Sequence, residues 1–288
     1  MKEKLVLDVP SREECISYLV SEGLMNHINV GEWEKPSYGI FDTVDSSYMT
    51  PLAPEYGDLY RLHRLIRSRK AFNVLEFGLG YSTIVMADAL KKNSDEYYAL
   101  KEPVKVRIRD PFQVYSVDAS QYWIEHFHNQ YADFPSIDRV HVSYSSCQIG
   151  EHNGQICHFY NNIPNVIADF IYLDGPSPND VEGQVNGIEF ADCHERTVMS
   201  GDLLKLEPTF LPGTMILVDG RTNNARFLAN NFKRKYTMTF SEVHDTTAFE
   251  LLEAPLGRIN RAQIDYSLGS DYYHRLGNLN AGLTESRR

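Results

Sequence analysis

The chain lacks the features that would place it in several large classes. Only four cysteines occur in 288 residues, and Cys15, Cys147, Cys157 and Cys193 lie far apart with no C-x-x-C pair. That spacing suits neither a disulfide framework nor a zinc site, and it reads as the reduced thiols of a cytoplasmic protein. No apolar run approaches the ~18–20 residues of a membrane span. The opening stretch MKEKLVLDVPSREE is too poor in apolar residues for a signal peptide. Internal repeats and low-complexity tracts are missing too. Positive charge is scarce: 28 Lys+Arg against 39 Asp+Glu give a net charge of -11. Such a surface repels a phosphate backbone, which disfavours a nucleic-acid partner. The clusters Arg61–Arg64–Arg67–Arg69–Lys70 and Lys233–Arg234–Lys235 are short and read as solvated helix faces.

What is present is an ordinary globular balance, 42% hydrophobic and 23% charged, enough to bury a sizeable core. Residues 11–29 carry a helical stripe (Ile16, Leu19, Val20, Leu24), with Ser11 and Glu14 spaced as a capping box. Residues 31–55 read as an irregular loop, and 56–69 as a helix with a basic last turn. Short apolar runs then alternate with helical segments. Strands are expected at 72–77, 113–117, 139–143, 170–173 and 214–218, and helices at 82–92, through Trp123, Ile124 and Phe127, at 195–206 and at 224–235. The segments 237–243 and 248–252 alternate like a hairpin. Strands alternating with helices imply an α/β fold: a doubly wound, Rossmann-like, mostly parallel sheet covered on both faces. The hairpin adds an antiparallel pair at the C-terminal end.

The strongest local signal is the segment from Asn73 to Thr83, NVLEFGLGYST. A buried strand runs into Gly78 and Gly80, then into a helix that starts around Ser82 and Thr83. Glycines there let the backbone turn sharply and let a ligand approach closely. The third glycine of a dinucleotide fingerprint is replaced by Thr83. Glu76 stands at the strand end, where its carboxylate can accept loop amides and face a cationic ligand. The pattern E-x-G-x-G-x-S-T resembles the first motif of class I S-adenosylmethionine-dependent methyltransferases, particularly small-molecule O-methyltransferases. Three further stretches agree in order: Val117-Asp118-Ala119, Asp169 to Asp174, and Pro212-Gly213 leading to Asp219.

The resemblance covers roughly residues 56–253 and implies a seven-stranded sheet with S-adenosylmethionine as cofactor. It places Glu76, Gly78, Gly80, Ser82, Thr83, Asp118 and Asp174 around that cofactor, with Asp118 on the ribose hydroxyls and Asp174 near the transferred methyl. Asp174 and Asp219 would end neighbouring strands. Catechol-type members hold a divalent ion such as Mg²⁺ with such a pair plus an Asn right after the second acid. Here Gly220 takes that place, with Asn223 and Asn224 slightly later, so metal-independent cofactor binding is expected. Asp174 and His194 are the candidates for a base. From Gly78 to Asp118 the gap is about twice the usual one, which suggests an insertion over 92–112.

The expected organisation is therefore an N-terminal helical and loop cap (1–70), the Rossmann-like domain (71–255) and a C-terminal tail (256–288). The expected reaction is methyl transfer to a hydroxyl or other nucleophile of a small molecule, a sugar or a phenolic metabolite. An aminopropyltransferase-like activity and a non-catalytic nucleoside-binding relative stay open as alternatives. No membrane partner is expected, and a homo-oligomer is compatible with the sequence.

Overall fold

A computed structural model describes residues 9–28, 53–191 and 196–285, with side chains through 279. The loop expected over 31–55 lies outside the described residues up to residue 52. In chain order the strands are β1 (Asn73–Phe77), β2 (Gln113–Asp118), β3 (Val140–Tyr144), β4 (Cys147–His152), β5 (Gln155–Tyr160), β6 (Phe170–Leu173), β7 (Val181–Glu182), β8 (Met215–Asp219), β9 (Tyr236–Ser241) and β10 (Thr246–Leu251). The helices are α1 (Arg12–Ser21), α2 (Tyr56–Arg69), α3 (Tyr81–Tyr98), α4 (Gln121–Tyr131), α5 (Asp202–Leu206), α6 (Thr222–Asn231), α7 (Gly257–Ser267) and α8 (Ser270–Glu285).

Seven strands form one sheet in the order β3-β2-β1-β6-β8-β10-β9. The first five run parallel, and β10 is antiparallel to both of its neighbours. Burial on both faces explains why the central strands are nearly all apolar. The period of two sends alternate residues to opposite sides. Val74, Phe170, Tyr172, Met215 and Leu217 join the core under α2 and α3. Leu75, Phe77, Ile171, Leu173, Ile216 and Val218 join the core under α5 and α6. The chain order reverses between β1 and β6, so a crevice opens at the carboxyl ends of these strands.

At the N-terminal side, Ser11 and Glu14 do form the expected capping box, and Leu19, Leu24 and Ile28 pack into the same core as α2 and β1. The helix itself stops at Ser21, short of residue 29. Three other expectations need correction. The helix after the glycine loop runs on to Tyr98 and takes up the first part of the presumed 92–112 insertion. The helix expected from Glu195 begins only at Asp202. Just before it the chain runs beside β5, with the His158 amide donating to the Met199 carbonyl at 2.8 Å and the Gly201 amide to the His158 carbonyl at 2.9 Å. The residues after 256, expected as a tail, fold into α7 and α8 and bury Ile264, Leu268 and Tyr272 against Leu252.

A second sheet, β5-β4-β7, was not anticipated. Its hairpin turns at Asn153 (φ 52°) and Gly154 (φ 73°). Two successive positive φ angles are what a tight two-residue hairpin demands, and Asn-Gly is the sequence best suited to supply them.

Candidate active site

The crevice is organised by Glu76. Its side chain is fully buried, and three hydroxyls donate to it: Ser82 at 2.5 Å, Thr83 at 2.7 Å and Ser116 from β2. The Gly80 amide donates to Thr83 Oγ1 at 3.1 Å. Glu76 therefore takes hydroxyls, not the loop amides expected of it, and it braces the glycine loop from below. Ser82 and Thr83 spend their hydroxyls on the same task. Burial pushes the Glu76 carboxyl up to about 7, against the pull of its hydroxyl donors.

Gly78 sits at φ +109°, and a Cβ there would lie 3.2 Å from the Gly175 nitrogen. A Cβ on Gly175 would lie 2.7 Å from the Gly78 nitrogen. The loops after β1 and β6 thus touch backbone to backbone, which only glycine permits at this distance. Gly80 differs: nothing lies within 4 Å of its Cβ position. Its Cβ direction is open at the start of α3, while its amide is spent on Thr83.

Two acids flank this contact. Asp118 ends β2, and its Oδ1 accepts the Ser120 amide at 2.7 Å. Burial, then the nearby Asp180 charge, push it up to about 7. Asp174 follows β6, and its side chain is 54% exposed although surrounding protein desolvates it and raises its pKa to about 6. Its place at the carboxyl end of β6, next to β1, puts it at the mouth of the crevice.

Asp219 ends β8, beside β6 as expected, but it does not face Asp174 as a free ligand. Tyr172 donates to Oδ2 at 2.8 Å, Thr246 donates to Oδ1 at 2.8 Å, and Arg61 of α2 stands 3.5 Å from Oδ1. Asp174 has its own cation: Arg221 Nε lies 3.6 Å from its carboxylate, while the guanidinium donates to the carbonyls of Asp174 and, at 3.1 Å, of Pro176. Asn223 bonds Thr197 at 3.2 Å, and Asn224 accepts the Ser200 amide at 3.1 Å. Neither turns to the acid pair. A hard divalent ion takes much of its shell from water, but at this pair it would have to displace Tyr172, Thr246 and the two arginines from the carboxylates. Among the described residues, a metal-like grouping occurs elsewhere, at Glu22, His63 and Asp88. There the Lys92 ammonium already sits 2.6 Å from both carboxylates.

His194 lies outside the described residues. His244, at the β9–β10 turn, feels the charges of Arg61 and Asp219. Arg61, Arg69 and Arg221 were missed as structural cations. Arg61 and Arg69 are 1% and 4% exposed, so the solvated-face reading fails for these two, while Arg64 is exposed and Arg67 and Lys70 are half-buried. Their spacing with Asp58 and Leu65 (58, 61, 65, 69) marks one helix face, a signal that was available.

Behind Arg221 lies a patch with unusual bonding. Among the described residues, eleven buried side-chain atoms have no hydrogen-bond partner, and six of them cluster here: His158 Nδ1 and Nε2, Tyr160 OH, Ser200 Oγ, Asp202 Oδ1 and Asn224 Nδ2. Arg221 Nε, beside them, faces the Asp174 carboxylate at 3.6 Å. Buried polar atoms without a partner are uncommon in a native fold.

No family model and no curated protein matches the chain. Among the solved structures it is similar to are those of three methyltransferases. The O-methyltransferase TomG from Streptomyces achromogenes, in complex with SAM, is 16% identical, with 69% of this chain and 81% of that one covered, at a TM-score of 0.38. The SAH-bound Podospora anserina methyltransferase PaMTH1 is 11% identical over 85% of this chain and 99% of that one, at 0.44. The O-methyltransferase from Bacillus cereus in complex with SAH is 16% identical over 84% and 92%, at 0.35. At TM-scores this low the likeness is loose, and the chemistry of the crevice is read from its own residues.

Proposed function

We propose that this chain transfers a methyl group from S-adenosylmethionine to a hydroxyl of a small molecule. The observation that carries the reading is the crevice where the Glu76-braced glycine loop meets the Asp174 loop, with Asp118 on one side and Asp174 on the other. Adenosylmethionine is a cation with no pyrophosphate, so a loop flanked by acids suits it better than it suits a dinucleotide. Open space at Gly80 leaves room for the ligand, and the backbone contact at Gly78 holds the loop in place beside it. Asp118, at the end of β2, accepts its ribose hydroxyls.

When bound, the cofactor supplies an activated methyl on a sulfonium that is its own leaving group. The chain's task is to orient the acceptor and exclude water. Asp174 is ionised at neutral pH, faces the cleft and accepts the proton that the acceptor hydroxyl gives up as its oxygen is methylated. Arg221 holds the Asp174 loop by two carbonyls and balances its charge. No step calls for a divalent ion.

Calorimetry with S-adenosylmethionine, S-adenosylhomocysteine, decarboxylated adenosylmethionine and NAD, in buffer with EDTA, tests the reading. Binding of the first two, unchanged by Mg²⁺, is expected. A preference for the decarboxylated compound points to aminopropyl transfer instead, and binding of NAD alone overturns the proposal.

A further inference from the structure

The patch behind Arg221 lies one residue's reach from the crevice. His158 and Tyr160 are two apart on β5 and so point to the same side of that strand. Ser200 is tied to β5 by the backbone pairing with His158 and to α6 by its amide bond to Asn224 Oδ1. Asp202 receives the Tyr160 amide at 3.1 Å. Arg221 and Asn224 are three apart on one face at the start of α6. Arg221 belongs to both places: it binds the Asp174 loop, and its charge reaches His158 and Tyr160. Tyr160 also feels Asp118.

We propose that His158, Tyr160, Ser200 and Asn224, closed by Arg221, form an enclosed pocket that takes the hydroxyl-bearing end of a neutral acceptor such as a polyol, sugar or polyphenol. The assignment rests on the methyl-transfer reading of the adjoining crevice. Buried polar atoms are almost always paired in a native fold, and a concentration of orphans beside a ligand crevice marks where a ligand's polar atoms belong. The chemistry selects the class. His158 is neutral, held there by burial and by Arg221, so it offers one N–H and one lone pair. Tyr160 and Ser200 each donate and accept, and Asn224 Nδ2 donates. Such a mixed set matches hydroxyl groups, which also do both. It lacks the cluster of cations an anionic acceptor needs, since the Arg221 charge is already opposed by Asp174. Asp202 offers one free carboxylate oxygen, too little to hold a diamine at both ends.

Titrations with catechol, myo-inositol, benzoate and putrescine, with and without saturating S-adenosylhomocysteine, test the pocket. Tyr160→Phe and Ser200→Ala each delete one orphaned oxygen and little volume, so both variants are expected to melt at or above the parent temperature. Binding of catechol or myo-inositol, weakened about tenfold in either variant with unchanged S-adenosylhomocysteine affinity, is the expected result. Catechol against myo-inositol separates a phenolic from an aliphatic acceptor. The pocket holds water only, and the proposal fails, if neither binds more tightly than about 10 mM or if both variants bind them like the parent. A preference for benzoate or putrescine also overturns it. Failure of S-adenosylhomocysteine to bind sinks the methyl-transfer reading alone, because the probe titrations without it still judge the pocket.

Discussion

A carboxylate sealed at the end of a central strand is expensive to keep charged, and Glu76 offsets that with three hydroxyl donors from two elements. The same bonds fix the glycine loop, so one residue couples the strand, the loop and the start of α3. The loop in turn depends on Gly78 and Gly175 lying flat against each other. Gly175→Ala places a methyl 2.7 Å from a backbone nitrogen that has no slack, and Gly78→Val adds a side chain at positive φ. Both are expected to part the loops and abolish S-adenosylmethionine binding while cooperative unfolding persists; cofactor affinity equal to the parent's in either variant would show that the crevice lies elsewhere. Asp118 gives a second test at this scale. Burial raises it to about 7, and only its ionised form accepts two ribose hydroxyls well. Cofactor affinity should therefore rise from pH 6 to pH 8. Asp118→Asn should flatten this rise and weaken binding about tenfold, since hydrogen bonds to a charged group are worth about 1.5–3 kcal/mol. A parent profile that is flat over this range, or one that the variant keeps, removes Asp118 from the ribose.

At the scale of elements, what could be read in the sequence was what local pattern determines. The run from Asn73 through the two glycines, and the acids at the ends of β2, β6 and β8, are signals carried by a few neighbouring residues. The β4–β5 hairpin was equally local, announced by Asn153-Gly154 and overlooked. The buried arginines were half legible. Their helical spacing places Arg61 and Arg69 on the face of Leu65, but the acids they meet, Asp219 and Glu250, lie some 150–180 residues away in sequence, and no periodicity reports those partners. The C-terminal helices show both cases. Ile264, Leu268 and Tyr272 recur every four residues, a stripe open to reading, yet what they cover is set by the fold: Leu252 at the end of β10. Arg275 of α8 pairs with Glu250, which also meets Arg69 at 2.9 Å. Deleting residues 257–288 removes three buried side chains worth about 1.5–3 kcal/mol each and exposes that ion cluster. The denaturant midpoint should drop sharply, by the equivalent of roughly 5 kcal/mol or more. An unchanged midpoint would mean that these helices contribute nothing to the fold.

For the whole molecule, two sets of carboxyls pull the pH dependence of stability in opposite directions. Around the sheet ends, burial raises Glu76, Asp118 and Asp202 to about 7 and Asp174 to about 6. In the unfolded chain such groups ionise near pH ~4. Between those values the folded state holds more protons, so their contribution is fully present below about pH 4 and is lost as pH rises through the folded values. Between the N-terminal helices and α3 the sign reverses. Glu22 and Asp88 are held below their ordinary values, against the opposing effect of burial, by hydrogen bonds and charge from Lys92 and His63. Their contribution is present above about pH 4 and is lost as pH falls through the folded values. Asp174 counts for less than its neighbours, because half of its side chain meets solvent. Both contributions are largely present together only near pH ~4–5. The ligand-free protein should therefore melt at its highest temperature on the acid side of neutrality and lose stability steadily toward pH 8. Glu76→Gln has no proton to shed and should blunt the loss above pH 5, whereas Asp88→Asn should blunt the loss below pH 4. Scanning calorimetry from pH 3.5 to 8 reads both limbs in one experiment. A melting temperature that climbs from pH 5 to pH 8 would mean that the crevice acids are solvated in the free protein and that the desolvated cleft inferred around Asp118 and Asp174 does not form without ligand.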